Sequence, residues 1–484
     1  MRFAANASAP RLNLAMFAFI ALLLFLAVFS GFFAAVLPWW IVAMVLVLPM
    51  LGVTALAWPY LGLLGLVVLV SGMVPSSFLP QIGVGAGKLL GSDMALGVVL
   101  GLICLKMASS NEVRLKQVQV YLKPIALFIL CIPLGVAVGY LLYRTEVREV
   151  LNEARIHIYW LFFFAPLYLA TCLRDINRVA WGLVAIGISL AIMVILQFAL
   201  GIQLLENARV ENLRTLGGTY SDVTRSTAGG AIYFIIFAVY FVAARMLSRT
   251  LHPLIAIPLI AILAAGIVAT FGRGIWLATA IGLCFIAWHL GGLRSLQKII
   301  ILMIVGAVLG LASLAAIKPA VIDAAVDRFT STFAEGDHRS SLGERFEENE
   351  FAIKKIVSSP LFGIGFGTAY KPRLDINLDW NQVRYIHNGY LGLWLKLGLP
   401  GLIAAGWLVV VVFRRGRALI KYRELDPKSR ALVTASVFAF LVPVMTSITQ
   451  PEWLTMLGVS FFALVVGLIA TIDRVTQQPA TSNS

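Results

Sequence analysis

Apolar runs long enough to cross a bilayer recur along almost the whole chain. They fall near 12–37, 39–57, 60–78, 92–107, 124–143, 157–173, 179–200, 228–246, 253–271, 274–290, 298–317, 389–413, 430–448 and 453–472. A hydrocarbon core about 30 Å thick takes roughly 20 residues of helix to span, and it offers no water to an unpaired backbone. Runs of this length therefore span as helices. A soluble core does not account for 484 residues that are 60% hydrophobic and 13% charged. The expected fold is all-α: a polytopic helical membrane protein of 12–14 transmembrane helices. Trp58-Pro59 is the only break between the second and third runs, which leaves the count open. The first run is too long for a secretory signal and is read as a retained span. Cys104, Cys131, Cys172 and Cys284 all sit inside apolar runs, as packing residues do. No Cys/His spacing suggests a metal, and neither metal nor cofactor is expected.

The formal charge of +15 reads as a topology signal. With the N-terminus in the cytoplasm, the inner segments hold 20 of the 38 basic residues against five acids: Glu112, Asp175, Glu424, Asp426 and Asp473. Eighteen basic and eighteen acidic residues remain outside. The whole excess then lies inside, as the positive-inside rule requires, with both termini cytoplasmic. Nucleic acid is an unnecessary explanation for it.

Three regions follow: scaffold helices over 1–200, a region over 201–450 that carries the unusual polar residues, and a last helix with a short polar tail over 451–484. Two outer loops are long, 201–227 and 318–388. In the second, Ser341-Leu-Gly-Glu344 reads as a capping box. Leu342, Phe346, Ile353, Ile356 and Val357 follow at helical spacing until Pro360 stops the run. An amphipathic helix along the membrane surface is expected there, followed by a turn built on Gly363, Gly365 and Gly367. The first long loop reads as turn-rich and polar.

The spans themselves carry few ionisable groups. Ion-coupled transporters need several such groups at mid-membrane, so function is expected at a membrane face. Lys396 is the clearest charge within a span; it reads either as a cation snorkelling outward or as a phosphate contact. Arg273 stands in Gly272-Arg273-Gly274, in an outer turn with almost no loop. It reads as a headgroup contact or as a bidentate clamp on a phosphate or diphosphate. Arg209, Arg214 and Arg225 share the loop before it, and singly each reads as a solvated charge. His157, His252 and His289 sit at span ends and read as interfacial, and His338 as exposed. His387 precedes Asn388 at the outward start of a span. A helix N-terminus favours anions over cations, so a neutral imidazole is expected there, able to accept a proton from a hydroxyl.

Arg214 in the first outer loop, Gly272-Arg273-Gly274 at a span start, and Pro360-Leu-Phe-Gly363-Ile-Gly365-Phe-Gly367 before His387-Asn388 together resemble one family. It is the O-antigen ligase and Wzy-type polymerase superfamily, membrane glycosyltransferases of the GT-C class; the resemblance covers about 200–450. It implies metal-independent, inverting transfer of a glycan from an undecaprenyl-diphosphate carrier to an acceptor hydroxyl. The reaction would lie on the periplasmic side of a bacterial inner membrane. By the same resemblance Arg273 and Arg214 match the diphosphate-binding arginines, with Arg225 a second candidate, and His387 matches the general base. Arg345 occupies the place of an arginine in the long-loop helix, and Asn388 and Lys396 are candidate substrate contacts. The implied partners are the lipid-linked donor, a glycan or lipid A-core acceptor, membrane lipids, and a chain-length regulator or flippase. Chain length tilts the reading toward a polymerase of O-antigen or exopolysaccharide repeats, with a ligase to lipid A-core as the alternative. A lipid-linked glycan flippase, the alternative of a different class, would line a central cavity with charge.

Overall fold

A computed structural model describes residues 50–477 apart from 51, 55, 80, 85–86, 110–113, 171, 207, 216–217, 331–340 and 372–382. The expected span at 12–37, most of that at 39–57, His338 and the tail 478–484 lie outside the described residues. Among the described residues, seven helices are long and apolar enough to cross a membrane, with shorter apolar helices beside them.

The helices used below are α1 Pro59–Val70, α2 Gly91–Ser109, α3 Gln119–Ala137, α4 Val147–Arg155 and α5 Phe164–Leu169. They continue with α6 Leu173–Leu200, α7 Ile232–Leu247, α8 Pro253–Val268, α9 Arg273–Ile317, α10 Val321–Thr330 and α11 Ser341–Ser358. The last three are α12 Gly389–Lys421, α13 Pro427–Thr446 and α14 Met456–Gln477. Two of the long helices are interrupted where glycine permits it. In α9, Gly291 and Gly292 leave helical geometry, and two expected spans meet there at a kink. In α12, Gly398 adopts φ 68° and ψ −172°, two residues before Pro400.

α7 and α14 form the centre. Ile232 through Arg245 of α7 are all buried, as are Leu457 through Arg474 of α14. A helix that is apolar all round is covered by protein rather than facing solvent, and here its neighbours supply the cover. α6, α13, α9 and α8 pack around α7, while the 3-10 turn Ile156–Phe163 and α5 pack on α14. All four cysteines are free thiols.

The expected loop 201–227 is instead a β-hairpin, β3 Arg209–Thr215 against β4 Gly218–Thr227, with an irregularity at Asn212/Leu213. Its glycines and polar residues suggest turns, but Thr215, Thr219, Tyr220, Val223, Thr224 and Thr227 are strand formers. A single buried glutamine anchors the hairpin. Gln197, near the end of α6, donates from Nε2 to Ser226 Oγ at 2.7 Å and accepts at Oε1 from the Leu204 and Leu205 amides. A smaller hairpin pairs β1 Gln81–Val84 with β2 Gly87–Leu90.

α11 is the expected amphipathic helix, and it ends at Ser358, just before Pro360. The side chains of the capping box at 341–344 lie outside the described residues. Two further short helices were not anticipated, α10 and α4. α4 buries Val150 and Ala154 and exposes its charged face. The glycine turn is what these elements hold. Gly363, Gly365 and Gly367 all lie at φ between 66° and 75°. The backbone between them bonds on both sides, Ile364 N–H to Leu395 O at 2.7 Å and Phe366 N–H to Gly135 O at 3.1 Å. A Cβ at Gly363 or Gly365 would collide with neighbouring backbone, so the close approach itself demands glycine.

Candidate functional site

The hairpin, the α8–α9 turn, α11, the start of α12 and the α13–α14 connection meet at one end of the bundle. The hairpin is fixed to the turn by Ser226 N–H to Ala269 O at 3.4 Å and by Arg225 Nε to Thr270 O at 3.4 Å. α12 is fixed to the connection by Gly389 N–H to Ser447 O at 2.7 Å.

Arginines converge at this end from three elements. Arg225 lies within electrostatic reach of Arg209 on the same hairpin, Arg273 in the turn and Arg345 on α11, and Arg273 is within reach of Arg345. Burial holds the Arg225 guanidinium below its ordinary range. Glu211, 3.5 Å from Nη1, works against that, and the three neighbouring arginines add to it. Guanidinium groups gathered in this way suit an anion of more than one charge.

His387 stands beside this cluster. Its Nδ1 lies 2.8 Å from Oε2 of Glu348 on α11, and Lys371 Nζ lies 3.2 Å from Oε1 of the same carboxylate. Burial pushes the Glu348 carboxyl upward. The hydrogen bond and charge of His387 and the charge of Lys371 outweigh it, and the group sits below the usual carboxylate range. An ionised carboxylate can only accept, so the shared proton is on Nδ1. In a neutral ring Nε2 is then the free acceptor, the tautomer a general base needs. The ring is braced edge-on by Tyr385, centroids 4.9 Å apart. Tyr385 also lies within electrostatic reach of Arg209, Arg345, Glu348 and Glu452, and so joins the arginine cluster to His387. The Tyr370 hydroxyl donates to Tyr385 O at 2.9 Å.

Glu452 is the one carboxylic acid buried here among the described residues, 4% exposed in the α13–α14 connection. Burial raises its carboxyl to about 7, and bonds with Tyr233 and Thr455 temper the shift. Beneath the turn bearing Arg273, an apolar cavity of about 340 Å³ opens between α7, α8, α9 and α10. Ile267, Val268, Trp276, Leu302 and Ala325 are among its lining residues.

The expected site residues divide. Arg273, Arg225, Arg345 and His387 come together. Arg214 is on β3 opposite Thr219, on the same hairpin, but its side chain lies outside the described residues. Asn388 is the N-cap of α12, its Oδ1 accepting from the Tyr390 and Leu391 amides, both at 3.1 Å. Lys396 does not snorkel. It is fully buried, with Nζ 3.1 Å from Glu153 Oε2 and 3.0 Å from Thr368 O. Glu153 also accepts the Gly367 amide, so this ion pair pins the glycine turn to α4. His157 is not interfacial either: it is buried between Phe128 and Phe366, because the bundle closes over that span end. His252 and His289 do lie at exposed helix ends.

Glu348, Lys371, Tyr385 and Glu452 were not singled out by the sequence. Glu348 is one of three acids in Glu347-Glu348-Asn349-Glu350, and nothing local distinguishes it. Glu452 carried a detectable signal, an acid lodged between two apolar runs.

A multi-span helical bundle with an arginine cluster beside a carboxylate-oriented histidine is an arrangement that suits a membrane enzyme. Residues 258–406 match the family model described as O-antigen ligase. The match includes Arg273, Arg345, Glu348 and His387, while the hairpin and Glu452 lie outside it. No curated protein matches the chain.

Proposed function

We propose that this chain is an inverting glycosyltransferase of the bacterial inner membrane that moves a glycan from an undecaprenyl-diphosphate carrier to an acceptor sugar hydroxyl at the periplasmic face. The observation that carries the reading is the pairing of the arginine cluster with His387 across Tyr385. Arg225, Arg273 and Arg345, with Arg214 on the same hairpin, hold the diphosphate and need no metal for its charge. The apolar cavity under Arg273 has the lining an isoprenoid tail requires. His387 Nε2 takes the proton of the acceptor hydroxyl as its oxygen attacks the anomeric carbon. The bond from that carbon to the diphosphate oxygen breaks, and the leaving charge falls on the arginines. One displacement inverts the anomeric centre. Glu348 keeps the Nδ1 proton in place throughout.

We read the chain as a polymerase that joins repeat units of O-antigen or exopolysaccharide, working with a chain-length regulator and a flippase. The second reading, a ligase to lipid A-core, is favoured by the description of the matched family. Purified protein in lipid nanodiscs, given only the lipid-linked repeat unit, separates them. A ladder of longer lipid-linked products supports the polymerase, and transfer only after lipid A-core is added supports the ligase. With both substrates present, no transfer overturns the proposal.

A further inference from the structure

At the end of the bundle away from that site, α7, α8 and α9 border an open cavity of about 740 Å³. Arg249, Thr250, His252, Ser295 and Lys298 line it, and no acidic residue does among the described residues. The geometry that brings them together is specific. α7 ends in a Schellman turn, with Thr250 N–H bonded to Arg245 O at 2.9 Å and Arg249 N–H to Met246 O at 3.0 Å. The left-handed position of that turn usually goes to glycine, yet here it holds Arg249 at φ 55°. His252 caps α8: its Nδ1 accepts the Leu254 amide at 3.3 Å, which leaves the Nε2 proton to donate. Lys298 and Ser295 come from the half of α9 that restarts after the Gly291-Gly292 kink. Two helix starts thus add positive potential to two cationic side chains.

Two simpler accounts fall short. A cation beside the C-terminal carbonyls of α7 is favourable and covers Arg249, but not Lys298 on another helix. A general basic excess on this face covers scattered charges, but not a cavity that gathers them without a counter-ion. Arg245, one turn earlier, shows what a structural arginine does here. It donates to Asn177 Oδ1 at 2.9 Å and stacks on Trp181 and Phe241. Among the described residues neither Arg249 nor Lys298 has a carboxylate at ion-pair distance.

We propose that this cavity binds a phosphate-bearing anion, its two sources being the head group of an anionic phospholipid and a soluble phosphate. Basic pockets between spans at the cytoplasmic leaflet take anionic head groups by this chemistry.

The test uses the full chain in nanodiscs of phosphatidylcholine, with and without phosphatidylglycerol, or with inorganic phosphate added to phosphatidylcholine alone. Native mass spectrometry of retained lipid and the melting temperature are the readouts. The wild type should retain phosphatidylglycerol or gain stability from phosphate. Arg249→Gln/Lys298→Gln should weaken that response at least about tenfold. Arg417→Gln/Lys421→Gln, exposed at the same end, should leave it intact. A response to phosphatidylglycerol alone assigns the lipid source, and a response to inorganic phosphate the soluble one. No response in either arm, an unchanged double variant, or an equal loss in the control pair would overturn the proposal. Lys298→Gln alone, at an exposed helical position, serves if the Arg249 change prevents folding.

Discussion

Nδ1 of His387 and Oε2 of Glu348 lie 2.8 Å apart, although 39 residues separate them in the chain. One opens α12 and the other belongs to α11, so the proposed base is completed by a contact between the two helices. The carboxylate fixes which ring nitrogen carries the proton, and the other is left to do chemistry.

Glu348→Gln should therefore lower the transfer rate by about 10²–10⁴, the range associated with losing a positioned acid–base group or its tautomer. Donor binding should stay near wild type. Glu350→Gln, whose side chain pairs only with the exposed Lys354 among the described residues, should do little. Single-turnover transfer and donor binding measured on the same preparations check this.

His387→Ala should cost about 10²–10⁴ in transfer rate while leaving the fold and donor affinity intact. Combining it with Glu348→Gln should add almost nothing, because the two act as a unit. Additive losses in the double variant would mean that Glu348 works elsewhere.

Arg225→Lys and Arg273→Lys should each fail to restore transfer, since an ammonium lacks the planar fork that grips a diphosphate. The loss should be on the order of 2–4 kcal/mol in transition-state stabilisation. Lysine variants with wild-type kcat/KM would reduce both arginines to contacts with lipid head groups.

Glu452 gives a prediction in pH. Its carboxyl is raised to about 7 from an ordinary value of 4.5, so the folded protein holds this proton more tightly than the unfolded chain. The stabilisation is complete below the ordinary value and fades as pH climbs through about 7, by roughly 2–4 kcal/mol in all. Glu452→Gln should remove that part of the slope between pH 5 and 8. Melting curves of both proteins across this range decide it, and parallel curves would count against a buried, protonated Glu452.

Lys396→Met should strand the Glu153 carboxylate and loosen the glycine turn, costing about 2–4 kcal/mol. Glu153→Gln in the same chain should recover part of the loss. Melting temperatures of the single and double variants measure the coupling directly.

The membrane class was legible because hydrophobic length is a local property. Each run at 228–246 or 453–472 announces a helix whatever it packs against, and α11 was equally plain from its spacing and from Pro360. Arg273 and His387 stood out because each interrupts a pattern, a charge in a tight turn and an imidazole at a helix start. The hairpin at 209–227 was hidden by its polar composition, since pairing across a sheet leaves little local trace. The fate of Lys396 turned on Glu153, 243 residues away, and the choice of Glu348 over Glu347 or Glu350 on which face of α11 meets α12. Hydropathy, caps and breakers act within a few residues, so the sequence by itself determined the long helices and the end at which the odd residues gather. Ion pairs, tautomers and the meeting of Arg225 with Arg273 and Arg345 depend on distances closed by packing, and only the tertiary structure decided them.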